Sequence, residues 1–247
     1  MGDKRRIPDG YDPRAYPAVA VTVDVVVLTI DGDALSVVLV ERGEEPYLGR
    51  LALPGGFIRP DETLDAAAAR ELAEETGVEA AAHLEQLRAY GAPDRDPRMR
   101  VVTVAYLAVV RSVGPLRAGT DAAAARLVPV AEVLGPRPRL RLAFDHRRIL
   151  TDGVEAARAK LESTSLATAF VGPEFTLSEL RRVYEAAWGR RLDPGNFRRK
   201  VLSTPGLVVG TGSSARPGPA GGKPAETYRR GSAERLDPPL HRPPETD

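Results

Sequence analysis

Residues 56–78 read GFIRPDETLDAAAARELAEETGV. The run from about Thr63 to Thr76 is rich in alanine and leucine, and Gly77 stands where a C-cap glycine belongs, so the spacing predicts a helix. On that helix Glu71, Glu74 and Glu75 lie at i, i+3 and i+4 and crowd three carboxylates onto one face, where like charges cost roughly 0.2–0.5 kcal/mol per pair. A cation is expected to offset them. Magnesium or manganese suits the donors, because hard divalent ions take carboxylate oxygens and bridge phosphate oxygens of a substrate. Arg70 is the expected outer partner, holding one of these carboxylates through a bidentate pair. Leu72 points away into the core, and Gly55-Gly56 lets the preceding loop turn tightly against the site.

Gly56, Glu62, Arg70, Glu71, Leu72, Glu74, Glu75, Gly77 and Val78 occupy every defined position of the pattern G-x5-E-x7-R-E-U-x-E-E-x-G-U, with U aliphatic. The segment resembles the signature of the Nudix family. That resemblance implies an α/β/α sandwich and hydrolysis of a nucleoside diphosphate linked to a second moiety, by metal-polarised water attacking a pyrophosphate phosphorus. It also implies Glu71 and Glu75 as main metal ligands, with Glu74 binding metal or deprotonating water. The Gly55 carbonyl becomes a further ligand and Glu62 a support. The general base varies across the family and is not assigned.

Working outward, Ala18–Ile30 and Leu35–Val40 are dense in Val, Leu and Ile and read as a hairpin turned by Asp31-Gly32-Asp33. Strands are expected again at Leu84–Tyr90 and Val101–Val110. GRLALPGGF and the loop Ala92–Arg98 resemble the Nudix branch containing ADP-ribose pyrophosphatases and the Nudix-related transcriptional regulators of NAD metabolism, and with the C-terminal part the likeness covers nearly all of residues 15–230. It implies an ADP-ribose-like ligand. Arg95 and Arg98 are candidate phosphate or ribose contacts, with a surface salt bridge to Asp94 or Asp96 as the alternative. Arg50 is a candidate phosphate contact, and Tyr90 or Tyr47 could stack on adenine or simply pack. His83 and His146 have no metal-ligand spacing and read as ordinary hydrogen-bonded or surface histidines.

Beyond the break Gly135-Pro136-Arg137-Pro138, Leu150, Val154, Ala157 and Leu161 recur on one helical face, which predicts a connecting helix. Thr176-x-x-Glu179 forms a capping box before a helix that ends at Trp188-Gly189, and Asp193-Pro194 opens a second. Leu207–Val209 and Glu226–Tyr228 could pair as a wing. This arrangement resembles a winged helix-turn-helix, which would set its second helix in the major groove of DNA. With Phe197, Val201 and Leu202 turned inward, Asn196, Arg199 and Lys200 face outward to read base edges. Arg198, Arg216, Lys223, Arg229 and Arg230 are candidate phosphate contacts. The alternative is a helical dimerisation module with solvated arginines.

Residues 1–163 hold 22 Lys/Arg against 25 Asp/Glu, whereas residues 164–230 hold 11 against 5, so the two halves should meet different partners. The expected organisation is an α/β protein: an N-terminal tail at 1–16, the Nudix domain at 17–142, a connecting helix at 143–163, the winged helix at 164–230 and a disordered tail at 231–247. Gly210–Lys223 is expected to be a mobile wing tip. No cysteine is present, which excludes disulfides and thiol chemistry. With no apolar run long enough for a membrane span or signal segment, a cytoplasmic home and no membrane partner are expected. Two-fold symmetry would suit a homodimer on a palindromic operator. Three functions stay open: a ligand-responsive regulator that also hydrolyses ADP-ribose, a pyrophosphatase whose second domain only dimerises, and a regulator that binds without hydrolysing.

Overall fold

The computed structural model describes residues 10–78, 81–114, 116, 122–215 and 224–243. Strand β1 (Ala20–Asp31) and strand β2 (Ala34–Arg42) form the expected hairpin. Asp31 pairs with Ala34, which leaves Gly32 and Asp33 as a two-residue turn, and Gly32 takes the positive φ of +56° such a turn requires. Short strands β3 (Leu51–Ala52) and β4 (Gly55–Phe57) follow, then helix α1 (Leu64–Thr76). Thr63 caps α1 by accepting from the Ala66 N–H at 3.2 Å, and Gly77 ends it at φ +73°.

Strands β5 (His83–Tyr90), β6 (Val101–Val109) and β7 (Ala122–Pro129) complete a mixed sheet of order β3-β2-β1-β6-β5, with β4 on β1 and β7 on β2. The β1–β6 pair is parallel and central. Residues 22–29 of β1 are buried without interruption, as a strand covered on both faces must be. On one face Ala67, Ala68 and Leu72 of α1 pack with Val23, Val25, Val27 and Tyr106. On the other, short helix α2 (Val130–Leu134) and helix α3 (His146–Ser163) bring Ile149, Leu150, Val154, Ala157 and Leu161 against Val26, Leu28 and Leu107. Gly153 lets α3 lie close on β1, since a Cβ there would stand 2.9 Å from the Val26 methyls.

After a 3-10 turn at Ser165–Phe170 come strand β8 (Phe175–Thr176), helices α4 (Leu177–Trp188) and α5 (Pro194–Ser203), and strands β9 (Val208–Ala215) and β10 (Ala225–Arg230). The capping box forms as expected: the Glu179 N–H donates to Thr176 Oγ1 at 3.2 Å, and the Thr176 N–H donates to Glu179 Oε2 at 2.7 Å. The three-stranded sheet β8-β10-β9 carries the wing. The apolar cluster is continuous from Val26 through α3 to Leu180, Tyr184, Trp188 and Phe197, so the winged helix and the sandwich share one core. Among the described residues no helix is long and apolar enough to cross a membrane.

Three expectations are corrected. The stretch read as a wing tip from Gly210 is strand as far as Ala215, which pairs with Ala225; Arg216 and Lys223 lie outside the described residues. Leu202 is 46% exposed instead of turned inward, because only Phe197 and Val201 of α5 reach the core. The tail, described as far as residue 243, is anchored at two points. Leu236 and Leu240 are buried, and their N–H groups donate at 2.8 Å to the carbonyls of Ser163 and Glu162. The end of α3 leaves such carbonyls without helical partners, and the tail supplies donors despite its prolines. Residues 244–247 lie outside the described range.

Candidate functional site

Arg70 organises the acidic helix face. Its Nε and Nη2 donate to both oxygens of Glu62 at 2.9 and 2.7 Å, its Nη1 to Glu71 at 2.6 Å and Glu74 at 3.0 Å, and its Nη2 to the Phe57 carbonyl at 3.2 Å. The bidentate partner is therefore Glu62, not one of the three helical glutamates expected, because Glu62 precedes the helix and meets the fork head-on. Those bonds hold the Glu62 carboxyl down at about 2 and raise Arg70. Burial pushes Glu71 up, against the opposing pull of Arg70. A Cβ on Gly55 would collide with the Val23 backbone carbonyl, so that position needs glycine, and one on Gly56 would displace the Glu71 carboxylate that Arg70 holds. The Gly55 N–H donates to Glu75 Oε2 at 2.9 Å.

Glu71, Glu74, Glu75 and Gly55 border one cavity of about 370 Å³. Their donors are hard oxygens, and Gly56 brings the backbone against Glu71, which fits a divalent ion in kind. As the side chains stand, Arg70 carries the counter-charge of Glu71 and, with Arg59, that of Glu74, and among the described residues no three acidic or imidazole side chains are grouped as a metal ion would need them. Glu74 is half exposed and paired with both Arg70 and Arg59.

Beside Gly55 the cavity wall continues into a buried ionic set that the motif does not announce. Asp24 of β1 receives Arg95 Nη2 at 3.3 Å, and Arg95 also donates to Asp145 at 2.8 Å. His146 at the start of α3 accepts the Leu53 N–H on Nδ1 at 2.9 Å, which leaves Nε2 as the protonated nitrogen of the neutral ring, 3.4 Å from Asp24. Burial lowers the His146 pKa. This histidine is hydrogen-bonded as the sequence suggested, and it sits in the cavity wall.

Of the candidate ligand contacts, Arg95 and Arg98 line the cavity. Arg95 is 8% exposed in its buried bridge, while Arg98 is paired with Asp96 at 2.8 Å. Arg50 and Tyr90 are corrected. Arg50 is exposed outside the cavity with its guanidinium over the Tyr47 ring, and the Tyr90 hydroxyl donates to Asp152 at 2.8 Å on the α3 side of the sheet. Tyr47 packs edge-on against Phe144. Sequence reasoning missed Asp24, Arg42, Phe57, Phe144 and the placement of His146. Asp24 had a signal, a lone carboxylate within the apolar run VTVDVVV.

In the second domain Asn196, Arg198, Arg199 and Lys200 are all exposed on α5. Arg199 donates to Asn196 Oδ1 at 2.5 Å, and Arg198 pairs at 3.4 Å with Glu226 of the wing. Arg229 and Arg230 are exposed on β10. Arg198 of α5 thus stands beside β10, while Arg229 and Arg230, adjacent on the strand, point to opposite sides of it, and Arg230 borders Ala81, Arg111 and Phe175.

The family described as NUDIX domain matches residues 19–152, and the NrtR DNA-binding winged helix domain matches residues 167–230. The ADPR responsive transcriptional repressor NtrR of Acinetobacter baylyi is 34% identical over 221 residues, 89% of this chain and 85% of that protein. The crystal structure of Shewanella oneidensis NrtR complexed with a 27mer DNA is 33% identical, with TM-score 0.69 over 85% of this chain and 93% of that one. The NUDIX domain of the same Shewanella protein complexed with ADP ribose is 37% identical, with TM-score 0.54 over 60% of this chain and 94% of that one. With both domain families matched in the order in which the fold places them, the chain belongs to the NrtR group of the Nudix family.

Proposed function

We propose that this chain is a transcriptional repressor that binds operator DNA through its winged helix and answers to ADP-ribose in its Nudix domain, where it also hydrolyses that ligand with a divalent ion. The observation that carries the reading is the intact acidic face of α1 on a cavity in the same packed unit as the exposed basic helix α5. Glu71, Glu74 and Glu75 with Gly55 would hold magnesium or manganese, which when bound supplies charge stabilisation on the phosphates and a more acidic water. Arg70 fixes Glu71 and Glu74 in place, and Arg59 stands beside Glu74 at 3.3 Å as a cation for phosphate oxygens. Arg95, His146 and Asp24 form a buried, ion-paired part of the cavity wall.

Two readouts test this. Purified protein should release AMP from ADP-ribose only with magnesium, and Glu75→Gln should abolish that release. ADP-ribose should shift the affinity for operator DNA, which requires it to bind one conformation better than the other. Binding without release would leave a sensor and remove the hydrolase; DNA affinity indifferent to ADP-ribose would sink the regulator.

A further inference from the structure

Helix α5 is held to the core by two side chains. Of its ten residues Phe197 and Val201 are buried, on one stripe, and the Phe197 ring meets Tyr184 edge-on at 5.4 Å. Apolar packing is non-directional, so these anchors fix the depth of α5 more firmly than its heading.

The heading is set in the turn before it. Gly189 ends α4 at φ +66°, and Asp193 starts α5 by accepting the Asn196 N–H at 2.7 Å. Between them, Glu185 of α4 reaches across to accept the Leu192 N–H on Oε1 at 2.7 Å, and Arg181, four residues earlier on α4, donates from Nη1 to the Leu192 carbonyl at 3.4 Å. The peptide units on both sides of Leu192 are thus gripped from one helix.

Glu185 is buried and lies outside the Nudix cavity. A carboxylate taken out of water is costly unless tightly paired, and apolar residues of similar volume often serve stability as well. Its pairing is loose. Arg181 Nε stands 3.9 Å from Oε1 and Arg191 Nη1 3.6 Å from Oε2, and among the described residues neither Arg181 Nε nor Glu185 Oε2 has a hydrogen-bond partner. The short bond that Glu185 makes is to the backbone of the turn. A buried charge placed in this way contributes geometry more than stability.

We propose that Glu185, braced by Arg181, is a positioning residue for DNA reading: it fixes the heading of α5, and with it the places of Asn196 and Arg199, without touching DNA itself. The proposal rests on the reading of α5 as the helix that meets base edges.

The test measures band shifts of the full chain on two duplexes, one that the parent selects from a randomised pool and a scrambled one of the same length and composition. Base-edge hydrogen bonds carry the sequence information and need alignment, whereas phosphate contacts carry none. Glu185→Leu should therefore lower the preference for the selected duplex by roughly 5- to 150-fold, the worth of one bidentate base contact, and move affinity for the scrambled duplex less than about twofold. Glu185→Gln keeps an oxygen for the Leu192 N–H and should keep most of the preference. Arg181→Met, which loosens the carbonyl side alone, should lower the preference in the same direction as Glu185→Leu and stands in for it if that variant does not fold; Trp188 emission shows whether each winged helix is folded. Equal losses on both duplexes, an unchanged preference, or a Glu185→Gln variant as impaired as Glu185→Leu would each overturn the assignment. If the parent enriches no duplex from the pool, the DNA-reading function falls and the clamp with it; if the parent prefers its duplex and the leucine and methionine variants keep that preference, the clamp alone falls.

Discussion

Replacing Arg70 with methionine removes a fork that serves three carboxylates while keeping much of the side chain's bulk. Glu71 is the group left worst off. Its side chain is 9% exposed, burial already pushes its pKa up, and Arg70 is the cation paired with it at 2.6 Å. Breaking one partner of a buried pair costs about 3–5 kcal/mol. Arg70 keeps 15% of its side-chain surface, and an orphaned Glu71 can take up a proton, so a loss of about 2–3 kcal/mol at pH 8 is expected. The sign of its pH dependence follows from the same group. Without Arg70 the folded pKa of Glu71 rises further above 4.5, the folded state binds more protons than the unfolded chain, and stability falls as pH rises through that window. Glu62, held at about 2 in the parent, is ionised throughout the range from pH 5 to 8. The gap between parent and variant should therefore narrow at pH 5. Urea unfolding followed by backbone circular dichroism measures both gaps, and Trp188, the single tryptophan, reports whether the winged helix unfolds in the same step. A loss below about 0.5 kcal/mol at pH 8, the usual range for inconsequential surface changes, would refute the account; so would an equal loss at both pH values.

The neutral, buried His146 is protonated in the unfolded chain below its ordinary 6.5 but resists protonation when folded, so parent stability should drop as pH falls below that value and His146→Gln should flatten the slope. A slope identical in the two proteins would place the ring elsewhere. Leu236→Ala should cost about 2–3 kcal/mol in the same unfolding assay, whereas an unstructured tail would give no change. Arg199→Ala should weaken operator binding, read by band shift, by roughly 5- to 150-fold while leaving AMP release from ADP-ribose untouched; loss of both would mean the substitution unfolds the chain.

Legibility in the sequence followed the range of the interactions involved. Helix α1, its caps and its acidic face are local, as are the capping box at Thr176 and the cap at Asp193, and all of them form where the residues predicted. Strand β7 went unread because AAAARLVP has few β-branched residues; it is a strand through pairing with β2 from Ser36 to Arg42. Tyr90, read as either stacking on a ligand or packing, packs in the core, and a register shift in β5 between Gln86 and Ala89 breaks the alternation that would tell one sheet face from the other. Arg50 is near the motif in sequence but lies outside the cavity, while Asp24, Arg95 and His146 are far apart in sequence and adjacent in space. Only the fold assembles such a set.

The same fold explains how a ligand cavity and a DNA-facing helix can share a chain of this size. Helix α3 begins in the cavity wall, with Asp145 as its N-cap on Arg95 and His146 as its first residue, and it is pressed onto β1 at Gly153. One turn beyond, Arg158 donates through Nε to the Ala187 carbonyl at 2.7 Å, at the end of the helix that precedes α5. The tail returns from the wing to the last carbonyls of α3. Close-packed interiors transmit displacement instead of absorbing it. If a ligand held at Arg95 and His146 displaced α3, the Arg158–Ala187 bond and the tail's bonds to Glu162 and Ser163 would carry that strain to α4 and the tail.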